Sequence, residues 1–151
     1  MVLFFSRSRK TEVFAKVLGE MKQMPLYELK SELNDMPTFK FVLKAISLAV
    51  RGKSSPVINM PESLPEEIYV CSPIWAGSAA LPVKYFLQNA ELSNIKVNIL
   101  LTASTPTHQY VEKAEKLLGK IPCIAGDVSI FATGRGKPDA ETLREHLGEL
   151  M

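Results

Sequence analysis

Short runs of strand formers alternate with longer stretches of helical periodicity along the whole chain, and this alternation limits the folds open to it. Val2-Leu3-Phe4-Phe5 is a continuous apolar run bounded by a polar loop, the pattern of a strand buried on both faces of a parallel sheet. Val13, Phe14, Val17, Leu18 and Met21 then recur at helical spacing, which predicts a helix from Thr11 to about Gln23. Tyr27-Glu28-Leu29 reads as a short second strand. Phe39, Val42, Leu43, Ile46, Ala49 and Val50 form another helical stripe that stops near Arg51-Gly52. Lys53 to Pro65, rich in Pro and Ser, reads as a surface connection. Ile68-Tyr69-Val70-Cys71 is the next buried-type strand, expected to end at Ser72-Pro73 because proline cannot donate to a ladder. Leu81 to Ala90 is helical, with Pro82 tolerated in the first turn. Lys96 to Ala103 is a strong strand, Tyr110 to Leu118 a helix closed by Gly119, and Ile124 to Phe131 a final strand. Asp139 to Leu150 is a charged, amphipathic terminal helix.

Strand and helix thus take turns five times. That order implies a mostly parallel sheet with helices on both faces. Five strands in 151 residues fit a doubly wound three-layer α/β domain. Residues 1–151 are expected to form one domain, since no internal repeat or linker interrupts them. The stripe from Phe39 to Val50 also carries Lys40, Lys44 and Arg51, as a membrane-surface or partner helix does. Packing against the core is its expected role.

Composition narrows the function classes. The chain is 46% apolar and 23% charged, with a net charge of +2. So mild an excess lacks the concentrated basic face of a nucleic-acid binder, and no nucleic-acid partner is expected. Nor is the chain strongly acidic, as many electron carriers are. The two cysteines, Cys71 and Cys123, stand in no metal-binding spacing and fall in apolar runs. They read as buried free thiols in a reducing cytoplasm. No basic segment precedes the strand formers at Val2, so no signal peptide is expected. No apolar run approaches the ~20 residues of a membrane span.

In an open α/β sheet, ligands bind beyond the carboxyl ends of the strands, where the strand order reverses. Three loops at such ends have unusual composition. Ser6, Arg7, Ser8, Arg9, Lys10 and Thr11 follow the first strand. Hydroxyls and cations beside a helix start suit a phosphate, which the helix N–H groups and dipole also favour; a simply capped helix start has the same residues. Ser72 to Ser78 contains Pro73, Ile74, Trp75, Ala76 and Gly77 and holds the one tryptophan. An aromatic in a loop needs a core pocket or a flat ligand to cover it. Thr102 to His108, with Ser104 and Thr105, is rich in hydroxyls and can hydrogen-bond a heterocycle edge or cap the next helix. His108 reads as a surface or capping residue, and His146 has no assigned role. Gly134-Arg135-Gly136-Lys137 is a basic turn of low specificity. In the strand order 2-1-3-4-5 the three loops meet on one edge of the sheet.

These residues resemble the flavodoxin family. Phe4 to Thr11 looks like its aromatic-S-R-[ST]-G-x-T phosphate loop, with Arg9 at the glycine position. Ser72-Pro73-Ile74-Trp75-Ala76-Gly77 looks like its S-P-[IV]-W-x-G flavin loop, and Leu81-Pro82-Val83 to Phe86-Leu87 is similar to the helix that follows. The stretch from Phe39 to Pro56 is similar to the segment that short flavodoxin-like proteins carry before the third strand. The resemblance implies a flavodoxin-like, doubly wound, five-stranded parallel sheet of order 2-1-3-4-5. It implies FMN as cofactor, with its phosphate on residues 6–11. The flavin ring would lie against Pro73 to Gly77, near Trp75, with Ser104 and Thr105 at its edge. Two departures stand out: Arg9 replaces glycine, and Pro106, which has no N–H to give, sits in a loop that is often glycine-rich.

The implied activity is electron transfer through non-covalent FMN, between the chain and a redox partner protein or a small-molecule electron acceptor. Two alternatives stay open: an NAD(P)H- or quinone-linked FMN oxidoreductase, and a flavodoxin-like domain that has lost FMN. No catalytic acid, base or nucleophile and no metal-ligand set is identifiable in the sequence.

Overall fold

The computed structural model describes residues 1–133 and 140–149. Six strands and five helices follow one another as β1 (Val2–Phe4), α1 (Lys10–Lys22), β2 (Leu26–Glu28), α2 (Thr38–Val50), β3 (Glu67–Trp75), β4 (Ser78–Ala79), α3 (Leu81–Asn89), β5 (Lys96–Ala103), α4 (His108–Leu118), β6 (Ile124–Ala132) and α5 (Ala140–Glu149) among these residues. β2, β1, β3, β5 and β6 lie side by side in that order, all parallel. This is the order 2-1-3-4-5 expected from the sequence, with the two-residue β4 added antiparallel to the end of β3. Asp139, at the expected start of the terminal helix, lies outside the described residues, as do Leu150 and Gly134 to Lys137.

Side chains alternate between the faces of a strand, and β1 shows why three layers form. Val2 and Phe4 point to one face, where they join Phe14, Val17 and Leu18 of α1 and Leu143 and Leu147 of α5. Leu3 and Phe5 point to the other, with Val83, Phe86 and Leu87 of α3 and Ala114 and Leu118 of α4. Cys71 is fully buried and Cys123 half-buried, both as free thiols. Burial pushes both thiols above their ordinary range, which keeps them protonated and lowers their reactivity.

The structure corrects two expectations. β3 runs through Ser72-Pro73 to Trp75 instead of ending there. β1 stops at Phe4, opposite Cys71, so beyond Cys71 no strand on that side asks for the N–H that Pro73 lacks. The second correction concerns α2. Phe39 is 75% exposed and Val50 82%, and Val42, Leu43 and Ile46 are exposed as well. Phe41 of this 13-residue helix packs against Trp75 and Arg7 at the loop end of the sheet, while much of the apolar stripe meets solvent.

The end of the sheet remote from the three loops is tied by polar contacts. Asn98, buried in β5, donates to Glu67 Oε1 at 3.0 Å and to Ile68 O at 3.3 Å, and accepts from Asp127 N at 3.0 Å. Lys96 Nζ lies 3.0 Å from Glu67 Oε1. Hydrogen bonds from Lys96 and Asn98 hold the Glu67 carboxyl below the usual carboxylate range. The β5–β6 register slips between Val97 and Ile99, a bulge in β6 that the Asn98 side chain fills. A Cβ on Gly126 would fall 2.8 Å from Asn98 Cγ and 2.9 Å from Val97 O. We therefore expect Gly126→Ala to destabilise the fold by about 1–3 kcal/mol through overpacking. Urea unfolding should show a lowered midpoint; an unchanged midpoint would mean that the bulge relaxes freely.

Candidate functional site

The carboxyl ends of β1, β3 and β5 carry the three loops singled out in the sequence, and the sheet order makes these strands neighbours. The first loop turns sharply into α1. Arg9, at the N-cap, has φ 62° and ψ 0°, a left-handed conformation that costs an L-residue about 1–2 kcal/mol. The position where the resembled motif has glycine is thus one that requires positive φ. No side chain caps α1, although a helix start leaves N–H groups without intrahelical acceptors and carries a positive dipole end. Ser6 is buried beside it, and its hydroxyl has no hydrogen-bond partner among the described residues. Such an orphan is unusual in a folded interior. A phosphate oxygen is the kind of acceptor these groups lack.

Thr11 is also buried, but its hydroxyl is hydrogen-bonded to that of Thr102, 2.9 Å away at the end of β5. The bond fixes the start of α1 to the strand two places along the sheet. Ser8 and Arg9 are exposed and Lys10 is half-buried. Arg7 turns away from the helix start: its Nη2 donates to Met36 O at 2.7 Å, and its guanidinium lies 4.2 Å from the centre of the Phe41 ring. It braces the chain entering α2.

The second loop is a tight hairpin. Ile74 pairs with Ala79 and Trp75 with Ser78, leaving Ala76 and Gly77 as a two-residue turn with φ 46° and 77°. Positive φ at both central residues is the signature of the type I′ turn, whose twist matches that of the strands it joins. Lys113 Nζ donates to Gly77 O at 2.9 Å and Lys84 Nζ to Ser78 Oγ at 2.7 Å. Burial, reinforced by the nearby Lys113 charge, lowers the Lys84 ammonium below the usual lysine range. Ser72 Oγ accepts the Ala80 N–H at 2.9 Å just ahead of α3. Trp75 is half-buried. Its ring meets Phe5 edge-on at 5.1 Å and Phe41 at 4.7 Å, so it anchors both the hairpin and α2.

The third loop lies beyond Ala103. Ser104, Thr105, Pro106 and Thr107 are all exposed, and no side chain caps α4. His108 stands exposed at the start of α4, 3.7 Å from Glu112, in the surface role expected of it. The side chain of His146 lies outside the described residues. Ser6, Thr11, Pro73 to Gly77, Ser104 and Thr105 therefore gather at one end of the sheet, while the Arg7 guanidinium is directed elsewhere. Sequence reasoning missed Phe41, Lys84 and Lys113, which set the Trp75 hairpin. Their only signal was position, a phenylalanine and two lysines on helical faces like many others.

No family model and no curated protein matches the chain, but solved structures do. A candidate flavoprotein from Bacteroides uniformis superposes with a TM-score of 0.77 at 16% identity, covering 98% of this chain and 96% of its own. A flavoprotein from Lactobacillus acidophilus, solved in complex with FMN, gives a TM-score of 0.65 at 22% identity over 85% of this chain and 90% of its own. A flavodoxin from Streptococcus pneumoniae gives 0.55 at 12% identity over 99% and 94%. At such identities the likeness is one of fold.

Two substitutions test the geometry of the first loop. Arg9→Gly removes the left-handed cost of about 1–2 kcal/mol and adds about 0.5–1 kcal/mol of chain entropy to the unfolded state. The net expectation is a gain of up to about 1.5 kcal/mol in thermal or urea unfolding; a loss would show that the arginine side chain itself holds the turn. Thr11→Val leaves the buried Thr102 hydroxyl without its partner and should destabilise by about 1–3 kcal/mol in the same assay.

Proposed function

On this flavodoxin-like fold, we propose that the chain binds FMN non-covalently and transfers electrons through it. The observation that carries this reading is the meeting of an uncapped helix start, an unpartnered buried Ser6 hydroxyl and the Trp75 hairpin at adjacent strand ends. Ser6, Ser8 and Thr11 would offer hydroxyls to the phosphate, with Arg9 and Lys10 adding charge and the α1 dipole aligned with it. Arg7 contributes by holding the loop against Met36 and Phe41. Pro73, Ile74, Trp75, Ala76 and Gly77 would bound the flavin ring, with Ser104 and Thr105 at its edge. When bound, FMN supplies the redox chemistry. The chain binds it, orients it, and limits the access of water to the face beside Trp75.

A redox partner protein or a small-molecule electron acceptor would complete the transfer, in the cytoplasm, where free thiols such as Cys71 and Cys123 persist. We take residues 1–151 as one functional domain. Among the described residues no helix is long and apolar enough to cross a membrane. An NAD(P)H- or quinone-linked oxidoreductase is the alternative; the NAD(P)H-linked form would need a nicotinamide seat that no G-x-G-x-x-G loop provides.

Titration of the apo-protein with FMN should quench Trp75 fluorescence at about one equivalent, because the sole tryptophan borders the proposed ring site. Ser8→Ala should weaken FMN by about 1–3 kcal/mol while leaving riboflavin, which lacks the phosphate, unaffected. Equal losses for both ligands would place the phosphate elsewhere. Unquenched emission with no retained yellow colour would mean that the domain has lost FMN. Anaerobic mixing of the FMN-loaded chain with NADH or NADPH should leave the flavin absorbance unbleached; rapid bleaching would favour the oxidoreductase.

A further inference from the structure

A pocket of about 760 Å³ opens between α2, the β3–β4 hairpin, α3 and α4, a volume typical of sites for small organic ligands. Its apolar walls include Phe41, Ile46, Ile74, Trp75, Leu81 and Leu117. Five cations stand around them: Lys53, Lys84, Lys113, Lys116 and Lys120. No carboxylate lines the pocket, and none of the five lysines forms an ion pair among the described residues. Elsewhere lysines do find acids, as Lys16 does with Glu12 and Lys96 with Glu67. The hydrogen bonds of Lys84 and Lys113 go to neutral oxygens, Ser78 Oγ and Gly77 O. Those bonds aim the ammonium groups and leave their charge uncompensated. Burial and the neighbouring Lys113 already disfavour the charged form of Lys84. Like charges gathered at an apolar cavity raise the free energy of the empty site, and an anion with an apolar body relieves both faults.

We propose that this pocket is a second ligand site, for a small anionic amphiphile: an apolar chain or ring system bearing a carboxylate or phosphate. The apolar body lies between α2 and the hairpin, and the acid group meets the lysines of α3 and α4. A second copy of the chain is a poor occupant, because a two-fold contact would set one lysine rim against the other. Among the residues assigned above to FMN, Ser6 to Thr11, Pro73, Gly77, Ser104 and Thr105 do not line this pocket, whereas Ile74, Trp75 and Ala76 do. The two sites share the hairpin as a wall and are otherwise distinct.

Decanoate, kept below its micelle concentration, is the probe. Titrated into the full chain without FMN, it should shift Trp75 emission and saturate in calorimetry. Decanol and decyltrimethylammonium should bind about tenfold more weakly or not at all, and added salt should weaken decanoate. Lys116→Gln with Lys120→Gln should weaken decanoate about tenfold while leaving thermal unfolding and FMN affinity unchanged. Lys113→Gln serves as an independent second variant. Equal binding of the three probes, or no loss in either variant, would reduce the pocket to unspecific apolar adsorption and overturn the proposal. A parallel loss of FMN affinity in Lys116→Gln/Lys120→Gln would make the pocket the flavin site and overturn it too. So would binding to phosphatidylglycerol vesicles without binding of decanoate, which would assign the face to a membrane surface. Because the decanoate titrations omit FMN, failure of the flavin reading leaves their outcome intact.

Discussion

The unequal lengths of β1 and β3 govern this molecule. β1 ends at Phe4, opposite Cys71, while β3 continues to Trp75. The overhang is supported on one side by β5, which pairs with β3 as far as Pro73 and Thr102. On the other side it is free of a parallel neighbour. Into that gap go the loop that leads to Arg9, the ring of Trp75 and the N-terminal half of α2. Had β1 run four residues further, ladder bonds would occupy the space where the three loops converge. The strand that nominally breaks at proline is thus the one that builds the crevice.

Backbone conformation at that crevice is set against local preference in two places. Arg9 and Ala76 both hold positive φ without being glycine, and such departures concentrate where surrounding structure over-determines the chain. At Ala76 the I′ turn is held from outside by Lys113 and, one residue past the turn, by Lys84. At Arg9 the adjoining Thr11–Thr102 hydrogen bond fixes the helix start. The opposite end of the sheet is ordered differently, through Asn98 and its contacts with Glu67, Ile68 and Asp127. One end is locked by side-chain polarity inside the sheet, the other by loops braced on helices.

The alternation of strand and helix was legible in the sequence, because runs such as Val2 to Phe5 follow a local rule of periodicity. The strand order and the special backbone position at Arg9 were legible only through the resemblance to the flavodoxin family, whose motif has glycine there. What could not be read depends on which partner a side chain finds. The stripe on α2 has the spacing of a core helix, yet nothing in that spacing reveals that Phe39, Val42, Leu43, Ile46 and Val50 find no core to cover them. Arg7 sits in a basic loop but is drawn to Met36 O and the Phe41 ring, contacts about thirty residues away in sequence. Pro73 signals the end of a ladder only if both edges of its strand are in use. The lysines of α3 and α4 are spaced like any solvated helix face, and only the fold gathers them around one cavity.

The two thiols lie at very different depths, and this has a practical side. Cys71 is sealed in the sheet, whereas Cys123 is half-buried just ahead of β6, at the end of the molecule remote from the loops. A maleimide or a gold surface would reach Cys123 alone, slowly, since burial keeps that thiol protonated. Anchored there, the chain would stand on a support with its strand carboxyl ends facing the solution. Voltammetry and surface-binding measurements could then address the loop end directly, with one defined orientation and no introduced cysteine.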